Sequence, residues 1–451
     1  MLTNLPNELV WVTAAWLESE RDINALARTN RHLFSLLDPT LYRYNAKRPS
    51  GSALLWAAEN GRAETARKAL EAGASGDGYD PGRIWPWTPL AKAAANGHLD
   101  IVKLLLASEL SHTNKGPYGW GSPMYLAAQN GHLEVVREFL KVDEIAVDSP
   151  VLGNCTPLMA AVDRGQADVV ELLIESGKVD VNVKPDLWKT PVSRAAERGD
   201  THILRMLVFS GRADVGCKDD DGRSPLALAV YFGRVDTVRL LLSLPGVDAD
   251  SEDICGCTPL SEAAKAGEAN CNSEIMRLLL DSRRVDIDHK DSLGRTPLAY
   301  AAMKGHVEDV KLLLASGEAD PSSRDNYDLT PLHHAASVYH PEPDELLVDK
   351  GLVNAANTAS IVELLLSSVK NCDVGARDNE GRTPLWHAVD NNWLAIGERL
   401  IEARGNEDIY IQDNEGLCPM DVAVRDGNED FIKLLQQGRG TDTDGKDNTG
   451  P

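Results

Sequence analysis

The sequence predicts an all-α protein: a solenoid of about eleven helix-pair repeats preceded by a short three-helix segment. A Ser/Thr-Pro signal recurs at Thr88, Ser122, Thr156, Thr190, Ser224 and Thr258, each 34 residues after the one before. Each signal is followed by two short stretches of helical apolar periodicity separated by a glycine-containing turn. Two helices of about ten residues cannot bury their apolar faces alone, so each pair must stack on its neighbours. A repeat array grows by adding units, so the usual estimate of domain number from length does not apply to these 451 residues.

The copy that begins at Thr88 shows how one unit works. Thr88 is a good N-cap, and Pro89 at the first helical position already has a helical φ and lacks only a donor that would go unpaired. Leu90, Ala93 and Ala94 place one large and two small apolar groups on one face, which lets another helix approach closely, and Gly97 supplies the positive φ that ends the helix. Ile101, Val102, Leu104, Leu105 and Leu106 then make the broader apolar face of a second helix. The register continues at Thr296, Thr330, Thr383 and Cys418, with an early degenerate copy at Ser52, which makes eleven units. Polar turns such as Asp248-Ala-Asp250 and Asp325-Asn-Tyr-Asp328 join one unit to the next.

This pattern of Thr-Pro-Leu, Ala-Ala, Gly-His and Val-x-Leu-Leu-Leu resembles the ankyrin repeat, nearly complete at Thr88 to Leu106 and Thr296 to Leu314. The resemblance covers roughly residues 51–437 and implies a non-catalytic protein-binding stack that uses its projecting turns and first helices. Two spacings depart from it. Thr258 to Thr296 is four residues over and Thr330 to Thr383 is nineteen over, which places insertions between paired helices, the longer at about 339–356. That longer stretch reads as an exposed excursion. Residues 438–451 are too polar to order and read as a tail.

Residues 1–50 lie outside the register, yet Leu5-Pro6-x-Glu8-Leu9, Leu17, Asp22-Ile23-x-x-Leu26, Leu33 and Leu36-Leu37-x-Pro39 form three short apolar-periodic helices. About 45 residues are too few to bury a core, so the segment must lean on the repeats or on another protein. It resembles an F-box of the type that precedes ankyrin repeats in filamentous-fungal proteins. That resemblance implies docking on an Skp1-like adaptor of a cullin-RING ubiquitin ligase, with Leu5, Pro6, Glu8, Leu9, Leu17, Ile23, Leu26 and Leu33 forming or supporting the docking face. Thr13 departs from the family's Ile or Val, and a hydroxyl there weakens burial. The alternative is a segment that only caps the first repeat.

Two sets of turn residues stand out as candidate partner contacts. Trp85, Trp87, Tyr118, Trp120 and Trp188 sit just before helix starts in early repeats, and aromatics are common energetic anchors in interfaces. Later turns are acidic instead: Asp219-Asp220-Asp221, Asp248 with Asp250, Asp286 with Asp288, and Asp373 with Asp378. These read either as plain solvation or as attraction for a basic segment.

Charge and motif content bound the chemistry. Forty-six basic residues against 69 acidic ones, a net of -23, argue against nucleic acid as a partner. Seven scattered cysteines, 155, 217, 255, 257, 271, 372 and 418, fit a reducing compartment and read as packing thiols. Neither Cys255-x-Cys257 nor the His333, His334 and His340 group has zinc-like spacing, and His333 holds an ordinary repeat position. No P-loop, dinucleotide fingerprint or Gly-x-Ser-x-Gly occurs, so no catalytic residue, cofactor or metal is expected. The absence of a leader-like start and of a long apolar run predicts a cytoplasmic or nuclear protein with no membrane partner.

Overall fold

The computed structural model describes residues 42, 43, 46, 52–76, 87–108, 122–143, 145, 147–148, 155–184, 189–266, 272–337, 355–368, 372–405 and 407–437. The docking residues predicted before residue 42, Trp85, Tyr118, Trp120, Trp188, the insertion up to 354 and the tail from 438 lie outside them.

Twenty-two α-helices and no strand occur among the described residues. They run as eleven pairs: α1 Ser52–Asn60 and α2 Ala63–Glu71, α3 Pro89–Ala95 and α4 Leu99–Ala107, α5 Pro123–Gln129 and α6 Leu133–Leu140, α7 Pro157–Arg164 and α8 Ala167–Glu175, α9 Pro191–Arg198 and α10 Thr201–Phe209, α11 Pro225–Tyr231 and α12 Val235–Ser243. The series continues with α13 Pro259–Ala266 and α14 Asn272–Asp281, α15 Pro297–Lys304 and α16 Val307–Ala315, α17 Pro331–Ala336 and α18 Ala355–Leu366, α19 Pro384–Asp390 and α20 Leu394–Arg404, a 3₁₀ turn at Glu407–Tyr410, then α21 Pro419–Arg425 and α22 Glu429–Gln437. α18 starts at Ala355, so the last two residues of the predicted excursion are helical.

By internal packing the chain divides into two compact units, Met1–Ala195 with Asp200–Asp214, and Ala196–Gly199 with Val215–Pro451. In the first, α1, α3, α5 and α7 pack in series through their first-helix faces, and α2, α4, α6, α8 and α10 pack in parallel with them. The second repeats the arrangement with α11, α13, α15, α17, α19 and α21 in one row and α12, α14, α16, α18, α20 and α22 in the other.

The caps explain why each first helix starts where it does. Thr88 Oγ1 accepts from the Ala91 amide at 3.1 Å, and Ser122, Thr156, Ser224, Thr296, Thr330 and Thr383 make the same bond three residues on. Small residues then fill the row: Ala93, Ala94, Ala127, Ala128, Ala160, Ala161, Ala263 and Ala264 are all at most 1% exposed. In several repeats the residue after the turn glycine reaches back to the preceding repeat. His98 meets the Glu59 carbonyl at 3.2 Å, His132 the Ala95 carbonyl at 2.9 Å and His306 the Ala264 carbonyl at 2.9 Å. Those carbonyls are the orphans of a helix C-terminus, so the Gly-His pair satisfies backbone as well as turning the chain. Gly97 is required twice over: its φ is +74°, and a Cβ there would lie 2.6 Å from the His132 ring.

Candidate protein-interaction face

In the second unit the segments between repeats project as hairpin-like fingers, and one aspartate organises each of them. Asp219, Asp253, Asp291, Asp325, Asp378 and Asp413 stand five residues before their helix caps. In every one, Oδ1 accepts from the amides two and four residues on, at 2.8–3.1 Å. This side-chain turn folds the finger back on itself without a partner strand. Successive fingers are then tied by backbone bonds: Ile254 N–H to the Asp221 carbonyl, Ser292 to Cys255, Asn326 to Leu293, Asn379 to Tyr327 and Asn414 to Glu380, all at 2.9–3.0 Å. A basic residue one position earlier adds a third tie. Lys218 donates to the Glu252 carbonyl at 2.6 Å, and Lys290, Arg324 and Arg377 donate to the carbonyls of Arg324, Arg377 and Gln412 at 2.7 Å.

The acidic pairs at the finger bases form a further relay. Both oxygens of Asp250 accept from the Asp286 amide, Asp286 from Asp288, Asp288 from Asp320, and Asp320 from Ser322. In the first unit Asp148 accepts from Asp180 N–H at 2.7 Å and Asp180 from Asn182 N–H at 2.9 Å. Much of the acidity that reads as a solvated turn is therefore bonded to backbone. Burial, with Asp286 and Asp248 close by, pushes the Asp250 carboxyl above its ordinary range against the pull of its amide bond.

Four residues after the caps Thr296, Thr330 and Thr383 stand polar side chains that meet the finger aspartates. The second oxygen of Asp291 accepts from the Tyr300 hydroxyl, Asp325 Oδ2 lies 3.0 Å from His334 Nε2, and Asp378 Oδ2 lies 2.8 Å from His387 Nε2. Burial opposes the charge on Asp325, but His334 and the Tyr327 and Leu329 amides outweigh it and hold its carboxyl below the ordinary range. His333, fully buried, accepts the Thr330 amide on Nδ1 at 3.1 Å. Burial, then the neighbouring His387, lowers its pKa to about 3, so it is neutral.

Asp253, Cys257 and Glu262 bring their ligand atoms within 4.8 Å of one another, a donor set that a metal would accept. Lys265 already supplies the positive charge: its ammonium is 2.7 Å from Cys257 Sγ, 3.6 Å from Glu262 Oε1 and 4.5 Å from the centre of the Tyr300 ring. Burial pushes the Cys257 thiol up to about 12, so it stays protonated.

Of the aromatic candidates, Trp87 is half-buried just before the Thr88 cap, and the other four fall outside the described residues. Two exposed apolar side chains that the sequence reading passed over are Ile254 and Tyr231, 71% and 45% exposed. An isoleucine between Asp253 and Cys255, where the register calls for a turn tip, was the available signal.

A family model for ankyrin repeats in three copies matches residues 25–115, 109–185, 192–291, 241–325, 268–356 and 352–447. The chain belongs to the ankyrin-repeat family. The first match begins at residue 25, inside the segment whose sequence resembles an F-box. Among solved structures, the ankyrin repeat domain of Bcl-3, described as a unique member of the IkappaB protein family, is 28% identical with a TM-score of 0.44, covering 47% of this chain and 93% of that one. An ankyrin repeat domain from Acinetobacter baumannii AYE is 32% identical with a TM-score of 0.40, covering 43% and 97%. No curated protein matches the chain. This ankyrin stack is a protein-binding scaffold, and no helix among its described residues is long and apolar enough to cross a membrane.

Proposed function

We propose that the protein is a non-catalytic adaptor, the substrate-recognition subunit of an Skp1-cullin-F-box ubiquitin ligase, in which the ankyrin repeats capture a target protein. The observation that carries this reading is the order of anchors Leu5-Pro6-x-Glu8-Leu9, Ile23-x-x-Leu26 and Leu33 directly ahead of the repeats. A segment that short needs a partner surface to bury its apolar residues. Tethering the target beside a ligase raises its effective concentration, so the chain needs no chemistry of its own. The assembly acts in the cytoplasm or the nucleus.

A second reading is favoured by one finding: the ankyrin model reaches back to residue 25. On that reading the N-terminal helices cap the stack and the protein is a ligase-independent scaffold. A pull-down of the full chain and of a Leu5→Ala, Pro6→Ala, Leu9→Ala variant, probed for Skp1-like and cullin proteins, separates the two. The adaptor reading expects capture by the parent and none by the variant. A folded parent that captures neither protein leaves the scaffold reading.

A further inference from the structure

The sixth and seventh repeats carry two exposed apolar side chains, one at a finger tip and one at a helix end, among acidic residues. Ile254 occupies the tip of the seventh finger, 71% exposed, and Tyr231 ends α11, 45% exposed. Single exposed apolar residues are ordinary on any protein surface, so exposure alone carries nothing. What distinguishes these two is that one frame holds both. The Ile254 amide donates to the Asp221 carbonyl at 3.0 Å, the Asp221 carboxylate holds Arg223, and the Arg223 guanidinium lies 5.1 Å from the centre of the Tyr231 ring. A Cβ at Gly222 would lie 2.8 Å from the Ile254 amide nitrogen, so the tip passes over a position that has no room for a side chain. A surface held this way loses little entropy when a partner lands on it.

The charge around the pair has one sign. Residues 217–223 hold three acidic residues and 248–257 hold four, against two basic ones, Lys218 and Arg223. Both basic side chains already bond inside the chain, Lys218 to the Glu252 carbonyl and Arg223 to Asp221. Asp219, Asp250 and Asp253 spend oxygens on backbone amides, whereas Asp220 and Glu252 are exposed at the rim, Glu252 with the His289 ring at 3.5 Å. A field of this sign attracts cations and repels acidic segments, and it acts at the edge of an apolar anchor point.

We infer that the Ile254–Tyr231 surface is a docking site for a partner segment in which an apolar side chain stands next to lysine or arginine. The inference rests on the protein-binding reading above but not on ligase assembly. The apolar group covers Ile254 and Tyr231, and the cation meets Asp220 and Glu252.

The test pans a displayed library of random peptides against the full-length protein and measures the affinity of the strongest binder for the parent and variants. Enriched peptides are expected to pair apolar residues with Lys or Arg. Ile254→Ser and Tyr231→Ser should each weaken binding about tenfold, and Asp220→Asn with Glu252→Gln should weaken it and flatten its salt dependence. Ile254 is mostly exposed, so an unchanged melting curve for Ile254→Ser shows that the fold is intact. Equal binding to the parent and Ile254→Ser, enrichment of peptides without basic residues, or no enrichment overturns the inference. The Leu5→Ala, Pro6→Ala, Leu9→Ala variant should bind the peptide like the parent, so loss of ligase capture and loss of peptide binding are separate results.

Discussion

Repeats six to eleven and repeats two to five share one helix grammar and differ in the segments that join them. Five residues before the cap, the later repeats carry Asp219, Asp253, Asp291, Asp325, Asp378 and Asp413; the earlier ones carry Arg83, Pro117, Val151 and Pro185. Two residues before the cap, the later set has Gly222, Gly256, Gly294, Asp328, Gly381 and Gly416, and the earlier set Pro86, Trp120, Asn154 and Trp188. The helix pairs need only caps, small residues and apolar faces, so both halves satisfy them. The finger frame needs an acceptor and a left-handed turn residue at fixed places, and only the later repeats supply both. The difference teaches that the solenoid and its binding edge are specified by separate residues, so one edge can be regular and another individual on the same stack.

The comparison can be broken most severely at Asp325, which is 7% exposed and bonded to the Tyr327 and Leu329 amides and to His334, with Arg295 Nε 3.8 Å away. Asp325→Ala leaves two amides without their acceptor and takes a carboxylate away from the buried Arg295 and His334. A loss of about 3 kcal/mol is expected in urea unfolding followed by circular dichroism.

Acid should act next, through His333. Its pKa is lowered from 6.5 to about 3, so the unfolded chain binds a proton that the folded chain refuses. The stability it contributes is present above 6.5 and is lost as pH falls toward 3. Asp325 and Asp378, both held below the ordinary carboxylate range, add losses only at the acidic end of that window. Unfolding midpoints at pH 7 and pH 5 should differ less in His333→Gln, whose amide oxygen can still accept from Thr330.

Thr296→Ala, which removes a buried cap bonded to the Ala299 amide at 3.3 Å, should cost about 1 kcal/mol by the same urea measurement. The smallest expected effect has the opposite sign. Asp328 stands where five of the six fingers have glycine and has φ 59°, while its ion pair to Arg324 is long, at 3.9 Å, and exposed. Asp328→Gly should therefore raise stability, by up to about 1 kcal/mol, seen as a higher melting temperature.

The repeat was legible because its signals are local. A capping hydroxyl, a proline at the next position and a glycine after two alanines recur at a fixed interval, and each acts within its own turn. The acidic turns were only partly legible because a carboxylate that accepts from the amide of the next repeat looks the same in sequence as one that meets water. Asp250 and Asp286 are 36 residues apart, and only stacking brings them together. The finger aspartates did leave a local signal, an Asp five residues before the cap with glycine between. Cys257 reads as a packing thiol, and burial bears that out, but the ammonium of Lys265 against it depends on how α13 meets the finger.

The claim that one aspartate organises each later finger is tested most directly by amide hydrogen exchange resolved to single residues. The account predicts that the N–H groups of Arg223, Cys257, Arg295, Leu329, Arg382 and Leu417, each bonded to the finger aspartate four residues before it, exchange slowly in the parent, and that Asp291→Ala or Asp325→Ala accelerates exchange in its own finger and in those tied to it. Exchange of these six amides at the rate of open loops in the folded parent would contradict it.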